Sequence, residues 1–436
     1  MAAPVYRFSG FVLHPQDRLL RSGGRRVPLP PKAFDVLLCL VRRAGGLVSK
    51  SELMEKVWPD TYVSETSLTN VVVGLRKVLG REAISTVSKH GYRFELPVEG
   101  EPNIHPNAYA RFVRAKELTA ELGVDSAIRA CELYWTCLAE EPGFAPAWAW
   151  MGRTAYRLAK FTDRRETNLA LAEAAFQRAF AIDPDLAVAH QFYTALETDT
   201  GRAMQALARL TERAALHPEE PATFAGLVHV FRYCGLLEES AKAHERAVEL
   251  DPTMPTSVTH TYFLQGDYAA ALDMYAGKRS GAYLDAACWA ALGETRRAVT
   301  LLRERTSYTG MILPLIRSLL AVLEDRAEEA VAIMDDAWEG QDPEALVYYA
   351  RHYGRVGAAG RAVAALRAAL ERGFVCPPTT LDADPWLRSL SKDPEYAELR
   401  RALERRVREA KAVAAKTARQ PGKSRGGAKP ERRTRA

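Results

Sequence analysis

Residues 64–80, Ser-Glu-Thr-Ser-Leu-Thr-Asn-Val-Val-Val-Gly-Leu-Arg-Lys-Val-Leu-Gly, hold the pattern on which the N-terminal fold depends. Apolar residues recur there every three or four positions, a spacing that predicts an amphipathic helix with one buried face. The buried stripe consists of Leu68, Val72, Leu75 and Leu79. A glycine, Gly80, follows the last of them and is typical of a helix end. We therefore predict a helix that begins near Ser64.

Two more helices are predicted on the N-terminal side of this one. Pro30–Pro31 opens the first, because proline suits the first helical turn, and Gly45–Gly46 ends it. Its apolar stripe consists of Phe34, Leu37, Leu38 and Val41. Ser49 followed by Glu52 forms a capping box, which predicts a short second helix that reaches Trp58.

Short strands flank the three helices. Before them, four apolar stretches alternate with glycine- and proline-containing turns and predict a small sheet. These stretches lie at residues 6–8, 11–13, 18–21 and 26–29. After the helices, residues 84–87 and 92–96 predict a hairpin that turns at Lys89–His90–Gly91. The order of sheet, three helices and hairpin indicates a winged helix-turn-helix.

This stretch resembles the DNA-binding domain of the OmpR/PhoB class over residues 5–98. The resemblance rests on residues 29–35, 47–49, 57–58, 75–79, 86–87 and 91–94. It implies that the third helix enters the major groove of DNA and that the hairpin reaches the minor groove.

The resemblance assigns the base contacts to Thr66, Ser67 and Asn70, which lie opposite the apolar stripe. Asparagine can pair with adenine through two hydrogen bonds, and threonine can touch base edges. Members of the class often carry arginine before the Leu-Arg-Lys run, whereas this chain has Val73–Gly74. That difference places arginine-to-guanine readout in question. Without the resemblance, Thr66 and Asn70 are equally interpretable as ordinary exposed helix residues.

The remaining predicted DNA contacts serve mainly to position the domain. Arg76 and Lys77 are expected to meet phosphates, which fix orientation without reading sequence. Lys89 and His90 stand where related wings reach the minor groove, although a solvated turn explains Lys89 as well. The residues expected to contact the DNA backbone are Lys50, Trp58 and Tyr92. Trp58 has a competing interpretation as a core residue, because large aromatic side chains usually serve packing.

A repeat pattern follows a linker at residues 99–106. Pro184, Pro218 and Pro252 are 34 residues apart, the period of tetratricopeptide repeats, and each is expected to follow a helix. Pro142 precedes Pro184 by 42 residues, and we place the excess of eight in the segment 161–168. We predict a tetratricopeptide-like helical repeat domain over residues 107–404. Such repeats stack because none buries its apolar face alone.

Charge divides the chain into three parts. Residues 1–100 contain 15 Lys and Arg against 9 Asp and Glu, and residues 405–436 contain 12 against 2. The middle is acidic, since the whole chain carries only +6. Basic ends favour polyanionic partners, and an acidic middle indicates a different task. Residues 411–436 lack an apolar stripe and predict a disordered basic tail, which serves either non-specific DNA contact or solubility.

Several classes of protein find no support in the sequence. The N-terminus lacks the apolar region of a signal peptide, and no apolar run is long enough to span a bilayer. The six cysteines form no Cys-x-x-Cys pair, which indicates reduced thiols. Neither a zinc-binding histidine pair nor a phosphate-binding loop is present. We therefore expect a cytoplasmic protein without cofactor, metal or membrane contact, and not an enzyme.

The predicted fold is mostly α: an N-terminal α+β winged helix-turn-helix, an all-α tetratricopeptide-like solenoid and a disordered basic tail. This order resembles cytosolic relatives of CadC-type bacterial regulators. The resemblance implies a transcriptional regulator that binds double-stranded DNA, with a protein or peptide partner, or a ligand, on the repeat array. The alternative is a tetratricopeptide adaptor whose winged helix has become an interaction module. Operator sequence and oligomeric state are left open.

Overall fold

The computed structural model describes residues 6–15, 18–23, 25–59, 63–88, 90–96, 98, 104, 106–121, 123–162, 164–275, 282–305 and 308–419. These residues form two compact units. The first contains the described residues up to 121, together with 129–147 and 250–252, and the second contains the rest.

Two small antiparallel sheets lie in the first unit. One is a meander in the order β1-β2-β3-β4, and the other has three strands in the order β5-β7-β6. The strands are β1 Tyr6–Phe8, β2 Phe11–His14, β3 Leu19–Ser22, β4 Arg25–Val27, β5 Leu47–Ser49, β6 Ile84–Val87 and β7 Gly91–Phe94. The predicted N-terminal sheet and the predicted hairpin are confirmed, and β5 is an additional strand that pairs with β7.

Three helices follow the first sheet along the chain, as the sequence predicts. They are α1 Pro31–Arg42, α2 Lys50–Val57 and α3 Glu65–Leu79. The Ser49 hydroxyl accepts a hydrogen bond from the Glu52 amide at 3.1 Å, which confirms the predicted cap of α2. The Glu52 carboxylate does not return to Ser49, however, because it pairs with Arg43 and Lys56. The apolar faces of α1 and α3 share one core with strand residues from both sheets.

A long series of helices follows. The first three helices lie in the first unit or cross from one unit into the other, and they are α4 Pro106–Ala120, α5 Val124–Glu140 and α6 Ala145–Phe161. The second unit continues with α7 Arg165–Ile182, α8 Ala187–Asp199, α9 Ala203–Leu216, α10 Pro221–Tyr233, α11 Leu237–Leu250, α12 Val258–Gln265, α13 Tyr268–Asp273, α14 Leu284–Ala291, α15 Thr295–Arg303, α16 Ile312–Leu323, α17 Ala327–Ala337, α18 Pro343–Arg355, α19 Ala359–Glu371, α20 Pro378–Ala383 and α21 Tyr396–Arg419. The all-helical, tetratricopeptide-like architecture predicted from the repeat is confirmed.

The prolines of the repeat mark the ends of helices in this series. Pro142, Pro184, Pro218 and Pro252 each stand two residues after the end of a helix, namely of α5, α7, α9 and α11. Proline is favoured there because it cannot continue a helix. The period of 34 therefore corresponds to one pair of helices.

The eight extra residues after Pro142 lengthen two helices. Helices α6 and α7 contain 17 and 18 residues, whereas α8 and α9 contain 13 and 14. The excess of four residues in each helix corresponds to one additional turn at the end of α6, which reaches Phe161, and one at the start of α7, which begins at Arg165. The predicted segment 161–168 therefore contains the added turn of α7. This added turn of α6 carries Lys160 and Phe161.

The predicted disorder of the tail is wrong for residues 411–419, which complete α21. Alanine, lysine and arginine have high helix propensity, so this stretch continues the helix without an apolar stripe of its own. Val413 and Ala414 pack against the core of the second unit, and the hydroxyl groups of Thr417 and Thr211 are hydrogen-bonded. Residues 420–436 lie outside the described residues.

Among the described residues, no helix combines the length and apolar character needed to cross a bilayer. The same residues contain no group of three or more histidine, cysteine, aspartate or glutamate side chains placed to hold a metal ion.

Candidate nucleic-acid interface

Helix α3 has one buried and one exposed face. Its buried residues are Leu68, Val72, Leu75 and Leu79, as the sequence predicts. The opposite face exposes Thr66, Asn70, Val73, Gly74 and Lys77, while Ser67 is half-buried beside Ser64. The amphipathic period therefore brings the predicted base-contacting residues together on one accessible surface.

Val73 is a member of this face that the sequence analysis noted only as a departure from the class. Val73 is 42% exposed. It lies one position before Gly74 and three after Asn70, so the helical period alone identifies it. Apolar side chains on a reading helix can touch the methyl group of thymine.

Gly74 is not required by packing. A Cβ atom built on Gly74 has no neighbour within 4 Å, so this stretch of α3 faces open space. Glycine in a helix interior costs about 1 kcal/mol relative to alanine. The exposed face is therefore shallow at its centre, where the class often places an arginine.

Arg76 has a role within the domain that the sequence did not reveal. Its Nε donates to the Ile84 carbonyl at 2.8 Å, and a terminal guanidinium nitrogen donates to the Thr86 hydroxyl at 2.7 Å. These bonds attach the C-terminal part of α3 to β6. Lys77, by contrast, is exposed. Phosphate contact remains a prediction for both residues, and the geometry leaves Lys77 the freer of the two.

The hairpin is anchored to α2 and α3. The carbonyl of His90 accepts a hydrogen bond from the Lys50 amide, and the side chain of His90 is half-buried in the turn. Tyr92 is only 3% exposed, and its hydroxyl lies 3.3 Å from the Thr69 hydroxyl. Any contact of Tyr92 with DNA would have to pass through that hydroxyl. Lys89 lies outside the described residues.

Lys50 is the first residue of α2, and Trp58 caps its C-terminal end. Lys50 forms an ion pair of 2.6 Å with Glu65, and this hydrogen bond raises the pKa of the ammonium group. Trp58 is half-buried and packs against the core of the domain, with the Lys32 ammonium 5.8 Å from its ring centroid. The packing interpretation of Trp58 therefore has direct support, and its DNA contact stays a prediction.

Comparison with known proteins identifies this domain. Residues 24–94 match the family described as "Transcriptional regulatory protein, C terminal". The N-terminal domain is a winged helix of the OmpR/PhoB type. The matched range contains α1, α2, α3 and the hairpin, and therefore every residue proposed above for DNA contact.

Similar proteins are transcriptional regulators. The chain is 36% identical over 124 residues to the transcriptional regulator HilA of Salmonella typhimurium. The aligned region covers 26% of this chain and 22% of HilA. It is 30% identical over 104 residues to the transcriptional activator CadC of Escherichia coli. The aligned region covers 22% of this chain and 20% of CadC. The chain thus matches about a fifth of the length of these relatives.

A solved structure of the DNA-binding domain of E. coli CadC covers 23% of this chain and 99% of its own, with 28% identity and a TM-score of 0.21.

Proposed function

We propose that this protein is a DNA-binding transcriptional regulator in which the winged helix binds promoter DNA and the helical array is the sensing part. The observation that carries the proposal is the exposed face of α3, which lies within a domain of transcriptional regulatory proteins. A bacterial regulator of this kind works in the compartment that holds the chromosome, so we propose a cytoplasmic protein.

In the proposed complex α3 lies in the major groove, with Thr66 and Asn70 at base edges and Lys77 at the phosphate backbone. Helix-turn-helix domains place their second helix in this way. The bonds from Arg76 to Ile84 and Thr86 support a fixed angle between α3 and the hairpin. A fixed angle favours simultaneous entry of helix and wing, because no ordering energy is lost on binding.

A mobility-shift assay on DNA from upstream of the protein's own gene tests this proposal. Asn70→Ala should weaken binding to that DNA by about 1–3 kcal/mol while non-specific binding is unchanged. Lys77→Ala should weaken both to the same extent and lower the salt slope by about 1. Arg42→Ala removes an equally exposed cation from the end of α1 and serves as the control. Equal binding of wild type and N70A to specific and random DNA would contradict the proposal.

The adaptor function has one specific observation in its favour, the exposed apolar side chain of Val73 at the centre of the α3 face. Contiguous exposed apolar patches mark protein interaction sites, and Val73 would contribute one side chain to such a patch. Affinity purification with and without nuclease separates the two functions. Partners that survive nuclease and are lost on Val73→Asp would support the adaptor, whereas partners that disappear with nuclease support DNA binding.

A further inference from the structure

Helix α21 is held in the second unit by one of its faces. The side chains that pack into the core of that unit are Leu399, Leu403, Val407, Ala410 and Ala414. Near the C-terminal end of the helix, the Thr417 hydroxyl is hydrogen-bonded to that of Thr211. The rotation of α21 about its axis is therefore defined, and its opposite face points to solvent.

This solvent face carries a row of cations, the basic stripe. Its members are Arg401, Arg405, Arg408 and Lys416, and all four are exposed. They are spaced by four, three and eight residues, which keeps them on one side of an α-helix, opposite the apolar side. At a rise of about 1.5 Å per residue the basic stripe extends over about 22 Å.

The basic stripe is not neutralised by the part of the chain that the structure describes. No carboxylate of the described residues forms an ion pair with any of its four cations. The cations beside the stripe, by contrast, do have such partners: Arg400 pairs with Asp382 and Glu404, Arg406 with Glu409, and Lys411 with Glu239. The third glutamate of the helix, Glu398, lies in the first turn. The charge of the stripe is therefore left to solvent.

The stripe weakens the helix that carries it. Like charges four or three residues apart on a helix repel each other, and Arg401, Arg405 and Arg408 form two such pairs. Packing does not require these side chains, because they are exposed. A row of cations that opposes the stability of its own helix is expected where an anionic partner compensates it.

The chemistry of the stripe fits the backbone of double-stranded DNA. A duplex carries one negative charge per about 1.7 Å of its axis, so a straight row of cations about 22 Å long meets several phosphates. Arginine binds phosphate oxygens through two parallel hydrogen bonds. The sequence continues with the same charge, since residues 420–436 contain six Lys and Arg against one Glu.

An anionic membrane is another extended polyanion, and α21 is poorly suited to it. Helices that lie in a membrane surface insert an apolar face among the lipids. The apolar face of α21 is already packed into the core of the second unit. The observations therefore favour DNA.

We propose that the basic stripe of α21 binds the phosphate backbone of double-stranded DNA without reading its sequence. It is a second DNA contact, made by the helical array in addition to the winged helix. The proposal extends the DNA binding proposed above and rests on it. Phosphate contacts supply affinity and salt dependence, whereas sequence preference stays with the winged helix.

Fluorescence anisotropy of the full-length protein with a labelled duplex of random sequence, measured over a series of salt concentrations, tests the proposal. The glutamine triple Arg401→Gln, Arg405→Gln and Arg408→Gln keeps good helix formers on the exposed face. It should lower the salt slope by about 3 and weaken binding at least about tenfold at about 0.1 M salt. The lysine triple R401K/R405K/R408K keeps the charge and should bind as the wild type does. Preference for upstream over random DNA should be unchanged in both.

A control triple separates direct contact from net charge. Arg178→Gln, Arg296→Gln and Arg317→Gln together remove three exposed arginines from α7, α15 and α16. Because these three lie on separate helices, their loss should lower the salt slope by less than about 1. Urea unfolding checks the fold of every variant. The glutamine triple should be no less stable than the wild type, since two repulsive pairs are removed.

Equal salt slopes and affinities of the wild type and the glutamine triple on random duplex would overturn the inference. An equally large loss in the control triple would also overturn it, because net charge would then explain the effect. The same proteins are titrated with single-stranded RNA of equal length and with phosphatidylglycerol vesicles. If the glutamine triple loses binding to either of these but not to the duplex, the assignment to DNA is wrong.

The proposed function of the winged helix can fail separately. If the wild type does not prefer upstream DNA and Asn70→Ala changes nothing, that function is lost, while a lower salt slope in the glutamine triple keeps the stripe as a DNA contact. If N70A weakens specific binding and the glutamine triple behaves as the wild type, the winged helix stands and the stripe does not.

Discussion

At the scale of single residues, Gly74 gives the sharpest test of how α3 meets DNA. It is exposed, and a Cβ atom there meets nothing within 4 Å. Both Gly74→Ala and Gly74→Arg should raise the free energy of unfolding by about 1 kcal/mol, because each replaces glycine by a good helix former. Only the arginine should tighten DNA binding, by about 1–3 kcal/mol, through contact with guanine or phosphate.

Urea unfolding and mobility shifts of the two variants separate helix stability from charge. If G74R and G74A bind DNA equally, Gly74 lies away from the groove and the proposed orientation of α3 is incorrect. A gain in specific binding alone would show base readout, whereas an equal gain on random DNA would show phosphate contact.

Protonation of His352 makes the stability of the second unit depend on pH. It is fully buried on α18, and its two ring nitrogens are 2.9 Å from the hydroxyl groups of Tyr283 and Ser318. Burial, together with the adjacent Arg351, lowers the pKa of His352 to about 3. The unfolded chain therefore binds a proton on His352 near pH 6.5, whereas the folded unit binds it only near pH 3. The contribution of His352 to stability is complete above pH 6.5 and is lost as the pH falls toward 3.

Substitution of His352 should remove this part of the acid sensitivity. The wild type should lose about 2 kcal/mol more unfolding free energy than His352→Gln between pH 6.5 and 4.5, since one pH unit is worth 1.36 kcal/mol per proton. Urea unfolding at a series of pH values measures the difference. At pH 7.5 H352Q should be the less stable protein, because the two hydroxyl groups lose a fitted partner. Parallel pH profiles for the two proteins would show that His352 is not the group responsible.

At the scale of elements, the wing is built around a close approach of β5 to β7. A Cβ atom on Gly91 would lie 2.0 Å from the Val48 carbonyl oxygen and 2.8 Å from the Ser49 Cα. Gly91→Ala must therefore push the two strands apart, and we expect a loss of about 1–3 kcal/mol in unfolding free energy. DNA binding should weaken as well, because the hairpin is displaced from α3.

Glycine-to-alanine substitution should thus change the free energy of unfolding in opposite directions at two positions of the same domain. Gly74→Ala should stabilise the winged helix and Gly91→Ala should destabilise it, as measured by urea unfolding of both variants. A stabilising G91A would mean that β5 and β7 are not paired as described.

The elements differ in how far the sequence determines them. Helix α3 was predictable to its ends, because a regular apolar stripe and Gly80 are local signals. The role of Arg76 was not, since its partners Ile84 and Thr86 are set by the position of the hairpin against α3. The residues proposed to contact DNA were predictable only as a face of a helix, and which of them touch DNA depends on a complex that the chain alone does not contain.

The added turn of α6 shows the same limit in the array. The period of the prolines located eight extra residues, yet a count of residues does not distinguish a loop from two helical turns. The Lys160 ammonium group can form its ion pair with Asp342, at 3.1 Å, only because the fold places the start of α18 beside α6. Contacts between helices so distant in sequence leave no local pattern, which explains why this ion pair was absent from the sequence predictions.

At the scale of the whole molecule, regulation requires that the occupied and empty states of the array differ in their affinity for DNA. If a ligand of the array shifts that affinity, DNA must shift the affinity for the ligand by the same factor, since linkage is reciprocal. Coupling energies of this kind are typically about 1–3 kcal/mol, which corresponds to a change of about 5- to 150-fold. We expect the ligand or partner of the array to change the dissociation constant for upstream DNA at least fivefold.

Fluorescence anisotropy of labelled DNA, with and without a saturating ligand or partner of the array, measures this change, and calorimetry of that ligand or partner with and without DNA measures its reciprocal. The two factors should agree within error. A charged ligand also screens phosphates, so an equal concentration of chloride serves as the control. A DNA affinity that is unchanged at saturation would separate the array from control of transcription.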